Sequence, residues 1–348
     1  MFSDTQFENS LDHVLDELTE LEREILELEA KTLNKALLGD DVKKEYRKKM
    51  DALIRKYQLK VEQALEIYYS EISKNYLKDD IATYKKAYKE GVILVAPVIS
   101  KASKQIVDNS IKYDEDFFNG IVSQMKNNAN KDVDALIKKY VKELTKMGSD
   151  PKKLRIKLAK DLYKLGTEIK SINGTKTYHD IVAYSRMVLK QSANNTFMEV
   201  KDQISKDIGI DPKERKVVVS SHMGARPDHH RWQGKVYLYS ELPEKTGYGS
   251  ASGLLGVNCR HKYYEYIEGI SDNNFEKYSS EENDRVYEAQ QELRRMQRKI
   301  RELKRRELVD KELKGSSSYT KKVKDMESKA NAFAKKNKIS RQKTRENI

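Results

Sequence analysis

Histidine, cysteine and tryptophan are rare in this 348-residue chain and are concentrated in one short window. Four of the six histidines, the single cysteine and the single tryptophan lie between His222 and His261. Neutral imidazole nitrogens and a cysteine thiolate are the usual protein ligands of zinc. The window therefore predicts a candidate zinc site, although its spacing does not match a common zinc module. The candidate ligands are His222, His229, His230, Cys259 and His261.

Two other interpretations of this window remain open. In the first, the residues form a hydrogen-bonded structural motif in a glycine-rich region that has little apolar material. The residues of that motif are Arg226, Trp232, Gln233, Gly234, Gly249, Gly256, Asn258 and Arg260. In the second, His222 acts as a general base for Cys259 as nucleophile, because the two need only be adjacent in space. The sequence shows no complete catalytic constellation, so we predict that the protein is not an enzyme.

The glycine-rich stretch 247–256 resembles a phosphate-binding loop only in its glycine content. It lacks the Lys and the Ser or Thr that follow the last glycine of a P-loop. We interpret it as a series of turns in which the backbone approaches itself closely.

A second group of residues with potential chemistry is the basic stretch RRMQRKIRELKRRE at 294–307. Leu293, Met296, Ile300 and Leu303 fall on one stripe of a helix, which predicts that the cations lie on the remaining faces. Such cations can neutralise DNA phosphates, and a solvated helix face is an equally good interpretation. The candidate nucleic-acid-binding residues are Arg294, Arg295, Arg298, Lys299, Arg301, Lys304, Arg305 and Arg306.

Long helical patterns precede these candidates in the chain. An apolar seam with alternating spacings of three and four predicts a helix over 5–38, and a similar pattern predicts a second helix over 42–75 that pairs with it antiparallel. The seam residues of the first helix are Val14, Leu18, Leu21, Ile25, Leu28 and Thr32. Further helices are predicted at 81–90, 92–109, 114–126, 131–147, 151–170 and 178–208, with Asp150 and Pro151 as cap and first residue of the fifth.

The predicted fold class is mostly α with a compact α+β domain. We predict a helical hairpin or bundle at 1–170, a glycine-rich α+β core domain with the His and Cys cluster at 171–270, and a basic helical tail at 271–348. The β-branched run KVVVSS predicts a strand in the core domain.

Bulk composition narrows the functional class. The net charge of +13 favours a polyanionic neighbour. A single cysteine excludes an intrachain disulfide, and the N-terminus shows no secretory signal. The best apolar run, 92–100, is too short to span a bilayer. We therefore expect a soluble protein made in the cytoplasm.

With these residues in view, the segment 178–310 resembles the phage minor capsid protein 2 family, which is related in role to the Mu-type head morphogenesis proteins. The resemblance rests on the ordered motifs YSRMVLKQSANN, VVVSSHMGARPDHHRWQGKVYLYS, TGYGSASGLLGVNCRHKYYEYIEG and EAQQELRRMQRKIRELKRRE.

This resemblance implies a minor head protein of a tailed bacteriophage that is present in the virion in a few copies and is made in the bacterial cytoplasm. The implied partners are the portal protein and the capsid protein, and packaged double-stranded DNA is a further candidate. The alternative is an ADP-ribosyltransferase-like or nuclease-like effector that is ejected with the genome. Zinc remains the candidate cofactor.

Overall fold

The computed structural model describes residues 4–144, 150–165, 168–170 and 178–348. The helices are α1 (Asp4–Ala36), α2 (Lys43–Tyr76), α3 (Lys78–Lys89), α4 (Lys101–Leu144), α5 (Pro151–Leu165), α6 (Ile181–Asp207), α7 (Pro227–His230), α8 (Leu242–Thr246), α9 (Ser280–Lys314) and α10 (Tyr319–Asn337). The strands are β1 (Glu168–Lys170), β2 (Tyr178–Asp180), β3 (Lys216–Val219), β4 (Val236–Leu238) and β5 (Tyr263–Tyr266). The fold is mostly α with an α+β part, as predicted.

The first two helices pair antiparallel, which confirms the prediction. The hydroxyl of Tyr57 and the ammonium of Lys56 donate to the Glu24 carboxylate at 2.7 and 2.8 Å, and Lys60 donates to Glu17 at 2.7 Å. Five of the six seam residues of α1 are buried and Leu28 is partly buried, while apolar residues beside the seam, such as Leu26, are buried too. The helix therefore packs through a face that is wider than a coiled-coil seam.

The prediction of separate helices at 92–109, 114–126 and 131–147 is wrong, because α4 is one helix of 44 residues. Gly120 lies inside it and costs about 1 kcal/mol relative to alanine. Burial of the adjacent Phe118, Ile121 and Val122 offsets that cost. The segment 92–100 is irregular, and α4 begins after Ser100, whose hydroxyl accepts the amide hydrogen of Ser103 at 3.2 Å. The predicted end at 147 lies outside the described residues.

The helix predicted at 151–170 is only partly confirmed. Pro151 is its first residue, and Asp150 Oδ1 accepts from the amide of Lys152 at 2.9 Å. The helix ends at Leu165, and 168–170 is the strand β1, paired antiparallel with β2. Helix α6 accordingly begins at Ile181 rather than at 178.

The chain divides into two compact units. Unit 1 comprises Met1–His13, Leu65–Asp114 and Arg186–Gln291, and unit 2 comprises Val14–Ala64, Glu115–Ser185 and Glu292–Ile348. The sequence analysis placed domain boundaries at residues 170 and 270. These boundaries concern which segments fold independently, and they stay a prediction.

Unit 1 contains a three-stranded antiparallel sheet in the order β4–β3–β5. Val217 lies opposite Tyr237 on one side and Glu265 on the other. Val217, Val219 and Tyr263 are buried, which agrees with the β-branched run that predicted β3.

Apolar clusters join the helices of unit 2, which also contains the strand pair β1 and β2. One cluster joins α1, α4, α5 and α9, and another joins α9 and α10 through residues such as Ile300 and Ala330. No helix in the part of the chain that the structure describes combines the length and apolarity that a bilayer crossing requires.

Candidate functional site

The candidate site in unit 1 is built on two short segments. The first is α7, a single helical turn that carries His229 and His230. Arg226 precedes it with extended backbone, and Pro227 supplies the fixed φ that suits the first turn of a helix. The second is the approach to β5, which carries Cys259 and His261.

Three of the five predicted ligands converge. The Cys259 sulphur lies 3.7 Å from Nδ1 of His229 and 3.6 Å from Nδ1 of His261. One possible ligand atom from each of the three residues lies within 4.8 Å of the other two, and all three residues are buried. The structure therefore brings together a nitrogen, sulphur and nitrogen donor set.

The opposite ring nitrogen of each histidine is held by an oxygen. Nε2 of His229 donates to the carbonyl of Ser252 at 2.7 Å, and Nε2 of His261 donates to Gln233 Oε1 at 3.0 Å. The same Gln233 oxygen accepts the amide hydrogen of His222 at 3.1 Å, which fixes the orientation of that side-chain amide. Because both Nε2 atoms carry a proton in these bonds, each neutral ring turns the lone pair of Nδ1 toward the sulphur.

Burial disfavours the charged form of these rings. It lowers the pKa of both His229 and His261, because removal from water disfavours the imidazolium form. The Trp232 ring lies 4.6 Å from each of the two imidazoles, measured between ring centroids. Trp232 therefore restricts the rotation of both histidines.

His222 lies beside the cluster in a different role. Its ring stacks on His261 with 4.1 Å between centroids, and the Arg260 guanidinium donates to its Nδ1 at 3.2 Å. Burial lowers the pKa of His222 to about 3. The imidazole nitrogens that contact the Cys259 sulphur belong to His229 and His261, so this geometry does not favour His222 as the base for a Cys259 nucleophile.

The remaining predicted residues hold the surrounding backbone. His230 donates to the carbonyl of Tyr278 at 2.9 Å and so lies outside the donor set. Arg226 donates to Asp228 at 3.0 Å and to the Ser252 carbonyl at 3.2 Å. Arg260 also donates to the carbonyl of Gly224 at 2.9 Å.

The glycine-rich stretch is a series of close turns, as the sequence predicted. A Cβ atom on Gly256 would lie 2.5 Å from the carbonyl oxygens of both Ser250 and Ala251, so only glycine fits there. Gly234, Gly249 and Asn258 have positive φ angles of 67°, 88° and 58°. This backbone places the Ser252 carbonyl against His229.

Sequence reasoning missed a buried charge network in the same unit. Lys201 on α6 donates to Asp80 on α3 at 2.7 Å and to the carbonyl of Tyr263 at 2.6 Å. Arg215 pairs with Glu265 at 3.0 Å and also with Asp202. The sequence did contain a signal for this network. Lys201 occupies a position on the apolar stripe of α6, between the buried Phe197 and Ile204, where a charged residue needs a partner.

The basic block of α9 lies in unit 2, and several of its cations are engaged internally. Arg301 is buried and pairs with Glu22 and, at 2.6 Å, with Asp180, while Arg305 lies 3.3 Å from the Glu22 carboxylate. The other pairs are Arg295 with Glu292, Lys299 and Arg306 with Glu302, and Lys304 with Glu327. Phosphate contact by Arg301 would require breaking a buried pair, so we narrow the candidate surface of α9 to the exposed Arg295, Arg298 and Lys299.

Helix α10 presents a second cationic surface. Val323, Ala330 and Ala334 are buried on one face. The exposed lysines on the other faces are Lys321, Lys322, Lys324, Lys329, Lys335 and Lys336. We call these six residues the α10 lysine face.

The motifs around the donor set and the basic helix are shared with a known protein family. A sequence model of the family described as Phage minor capsid protein 2 matches residues 2–335. The chain belongs to this family. The match confirms the resemblance seen at 178–310 and extends it to the N-terminal helices.

Similar individual proteins support the same family. The chain is 29% identical over 129 residues to a structural protein of Lactococcus phage LL-H, covering 34% of each chain. It is 42% identical over 55 residues to a structural protein of Lactococcus phage mv4, covering 16% of this chain and 45% of that one. The chain thus spans less than half the length of these relatives. No solved structure matches it significantly.

Proposed function

We propose that this member of the phage minor capsid protein family is a structural component of the phage head, without catalytic turnover. In this proposal several copies associate with the portal protein and the capsid protein, and a basic surface contacts packaged double-stranded DNA. Family membership supports capsid-related partners. An exposed apolar segment supports the portal contact, and the α10 lysine face supports the DNA contact.

The exposed apolar segment lies between α3 and α4. Side chains of this irregular stretch remain in solvent although they are hydrophobic, with Leu94 89% exposed and Val98 58% exposed. The other exposed apolar residues of this stretch are Val92, Val95 and Ile99. A cluster of exposed large apolar side chains within eight consecutive residues is typical of a protein interface. We assign it to the portal protein, because the family resemblance implies portal association.

The binding experiment uses the full chain and the purified portal assembly of the same phage. Leu94→Ser with Val98→Ser should weaken binding at least about tenfold, because each apolar side chain loses on the order of 1.5 kcal/mol of burial. The matched control is Leu59→Ser with Ile67→Ser, two exposed apolar residues of α2. That control should bind as the unmodified chain does.

Unchanged portal binding by the Leu94 and Val98 variant would overturn the assignment of this segment. If the unmodified chain binds the capsid protein but not the portal protein, the exposed segment between α3 and α4 would be assigned to the capsid protein instead. Sedimentation velocity of the mixtures distinguishes these results.

The α10 lysine face supports the proposed DNA contact. Residues 319–348 contain ten Lys or Arg and three Asp or Glu, a net charge of +7 out of +13 for the chain. The buried residues Val323, Ala330 and Ala334 fix the opposite face of α10 against the protein, which leaves the lysines in solvent. Exposed lysines bind phosphates without sequence preference and with a strong dependence on salt.

A further inference from the structure

We propose that His229, Cys259 and His261 bind one Zn²⁺ ion through the two Nδ1 atoms and the cysteine sulphur, with a water molecule as the fourth ligand. The ion would join α7 to the segment that leads into β5. This inference is independent of the portal and DNA contacts.

The first argument concerns which of the ring nitrogens and the thiol carry protons. The Ser252 carbonyl and the Gln233 side-chain oxygen hold the Nε2 protons of His229 and His261. Both Nδ1 atoms therefore present lone pairs to one sulphur, at 3.7 and 3.6 Å. A thiol has one proton and can satisfy one of the two nitrogens. A cation between the three atoms satisfies all of them.

The distances are the second argument. With zinc bonds of about 2.3 Å to sulphur and about 2.0–2.1 Å to nitrogen, a tetrahedral site places sulphur and nitrogen about 3.6 Å apart. The two sulphur–nitrogen separations have this length. One ligand atom from each of the three residues also lies within 4.8 Å of the other two, which is close enough for the three to share an ion after side-chain rotation.

The surrounding contacts match those of known metal sites. A histidine that binds a metal usually donates its other ring nitrogen to an oxygen, which fixes the tautomer and the ring orientation. His229 and His261 both have such a partner, and Trp232 packs against both rings. The donor set also selects the metal, because thiolate and imidazole favour zinc over Mg²⁺ or Ca²⁺.

A small cavity borders two of the three proposed ligands. It has a volume of about 10 Å³, which is room for one water molecule, and it is lined by Cys259 and His261 but not by His229. His222 is not positioned as the fourth ligand, because the Arg260 guanidinium donates to its Nδ1 and its Nε2 therefore carries the proton.

The test measures metal content in the full chain, prepared without a histidine tag. Elemental analysis after incubation with zinc and gel filtration should give about one equivalent of zinc. Replacement by Co²⁺ should give the sulphur-to-cobalt charge-transfer absorption and the intense visible bands of a tetrahedral site. A chelator should lower the melting temperature.

The variants assign the ligands. Cys259→Ser should abolish the charge-transfer band, and His261→Gln should reduce zinc to less than about a tenth of an equivalent. His230→Gln is the matched control, since His230 lies on the same turn but bonds to the Tyr278 carbonyl. It should retain full zinc content and the full cobalt spectrum.

Several results would overturn the inference. Less than about a tenth of an equivalent of zinc in the unmodified, folded chain, with no cobalt spectrum, would exclude the site even if every variant failed to fold. Full zinc retention in Cys259→Ser, or loss of zinc in His230→Gln alone, would exclude the proposed ligands. One equivalent of another metal after zinc incubation would exclude the assignment to zinc.

Discussion

Two basic stretches of unit 2, residues 294–307 of α9 and the helix α10, use their positive charges in opposite ways. In α9, Arg301 is buried against Glu22 and Asp180, and Arg305 also approaches Glu22. In α10 the six lysines of the lysine face are exposed. The buried cations of α9 hold the fold together, whereas the exposed lysines of α10 are available to a polyanion.

Composition alone cannot distinguish these helices. The stretch 294–307 contains eight Lys or Arg and two Asp or Glu, so it is at least as basic as α10. The difference comes from acids distant in sequence, because Glu22 lies on α1 and Asp180 on β2. Residue type contributes as well, since the planar guanidinium of arginine suits buried ion pairs and the hydrated ammonium of lysine suits the surface.

The largest expected effect comes from breaking the buried pair. Arg301→Met should lower the free energy of unfolding by about 3–5 kcal/mol, because it leaves the fully buried Glu22 carboxylate without its main partner. Urea titration followed by circular dichroism measures this loss. DNA affinity should not change when measured under conditions where the variant is folded.

The control for this substitution is Arg298→Met, which removes an exposed arginine of the same helix. We expect a change below about 0.5 kcal/mol. Equal stability losses in the two variants would contradict the distinction between internal and surface cations in α9.

The sequence reveals the parts of the fold that depend on local residue patterns, but not those that depend on contacts between distant residues. The long helices, the α1 seam and strand β3 follow from apolar periodicity and β-branched residues, which are local signals. The continuity of α4 does not, because the polar run NNAN at 127–130 indicates a break, which is overridden by the burial of Met125, Ala129 and Val133. The strand pair β1 and β2 also depends on tertiary pairing.

In the candidate site, too, the sequence predicted some features and the fold determined others. Residue types alone predicted the His and Cys cluster, but they did not show which histidines would meet Cys259. That choice depends on Ser252 and Gln233, whose oxygens orient the rings of His229 and His261 from distant positions in the chain. The Lys201 network was missed because a charged residue on a buried stripe gains its partners only through the fold.

Asp114 is a buried acid whose hydrogen-bond partners are uncharged hydroxyl groups, whereas the buried Glu22 is paired with arginine. Tyr69 and Ser192 donate to Asp114 at 2.8 Å, and burial raises the pKa of Asp114 to about 6. The folded protein therefore binds more protons than the unfolded chain between about pH 3.8 and pH 6, so this residue makes stability fall as pH rises through that window. The cost at neutral pH is on the order of 3 kcal/mol.

Asp114→Asn removes this titration. Its free energy of unfolding should exceed that of the unmodified chain by up to about 3 kcal/mol at about pH 7.5 and should approach it near about pH 4. Urea titrations at several pH values measure the difference. Asp116→Asn, an exposed acid of the same helix, is the control. A stability difference that does not vary with pH would contradict the raised pKa.

The smallest effect on stability is expected from the α10 lysine face. Replacing four of its lysines with glutamine should change the free energy of unfolding by less than about 0.5 kcal/mol at each site, because exposed side chains contribute little. The four substitutions are Lys321→Gln, Lys324→Gln, Lys335→Gln and Lys336→Gln. Affinity for double-stranded DNA should nevertheless fall, and the slope of log affinity against log salt should decrease by about 0.9 for each phosphate that the variant no longer neutralises.

The matched control removes the same charge from the start of α2 through Lys43→Gln, Lys44→Gln, Lys48→Gln and Lys49→Gln. There Asp40, Asp41 and Glu45 offset the lysines, so DNA affinity should change much less. Fluorescence anisotropy at several salt concentrations gives both slopes. Equal reductions in affinity for the two variants would mean that DNA responds to net charge alone, and the distinction between α9 and α10 would then have no consequence for DNA binding.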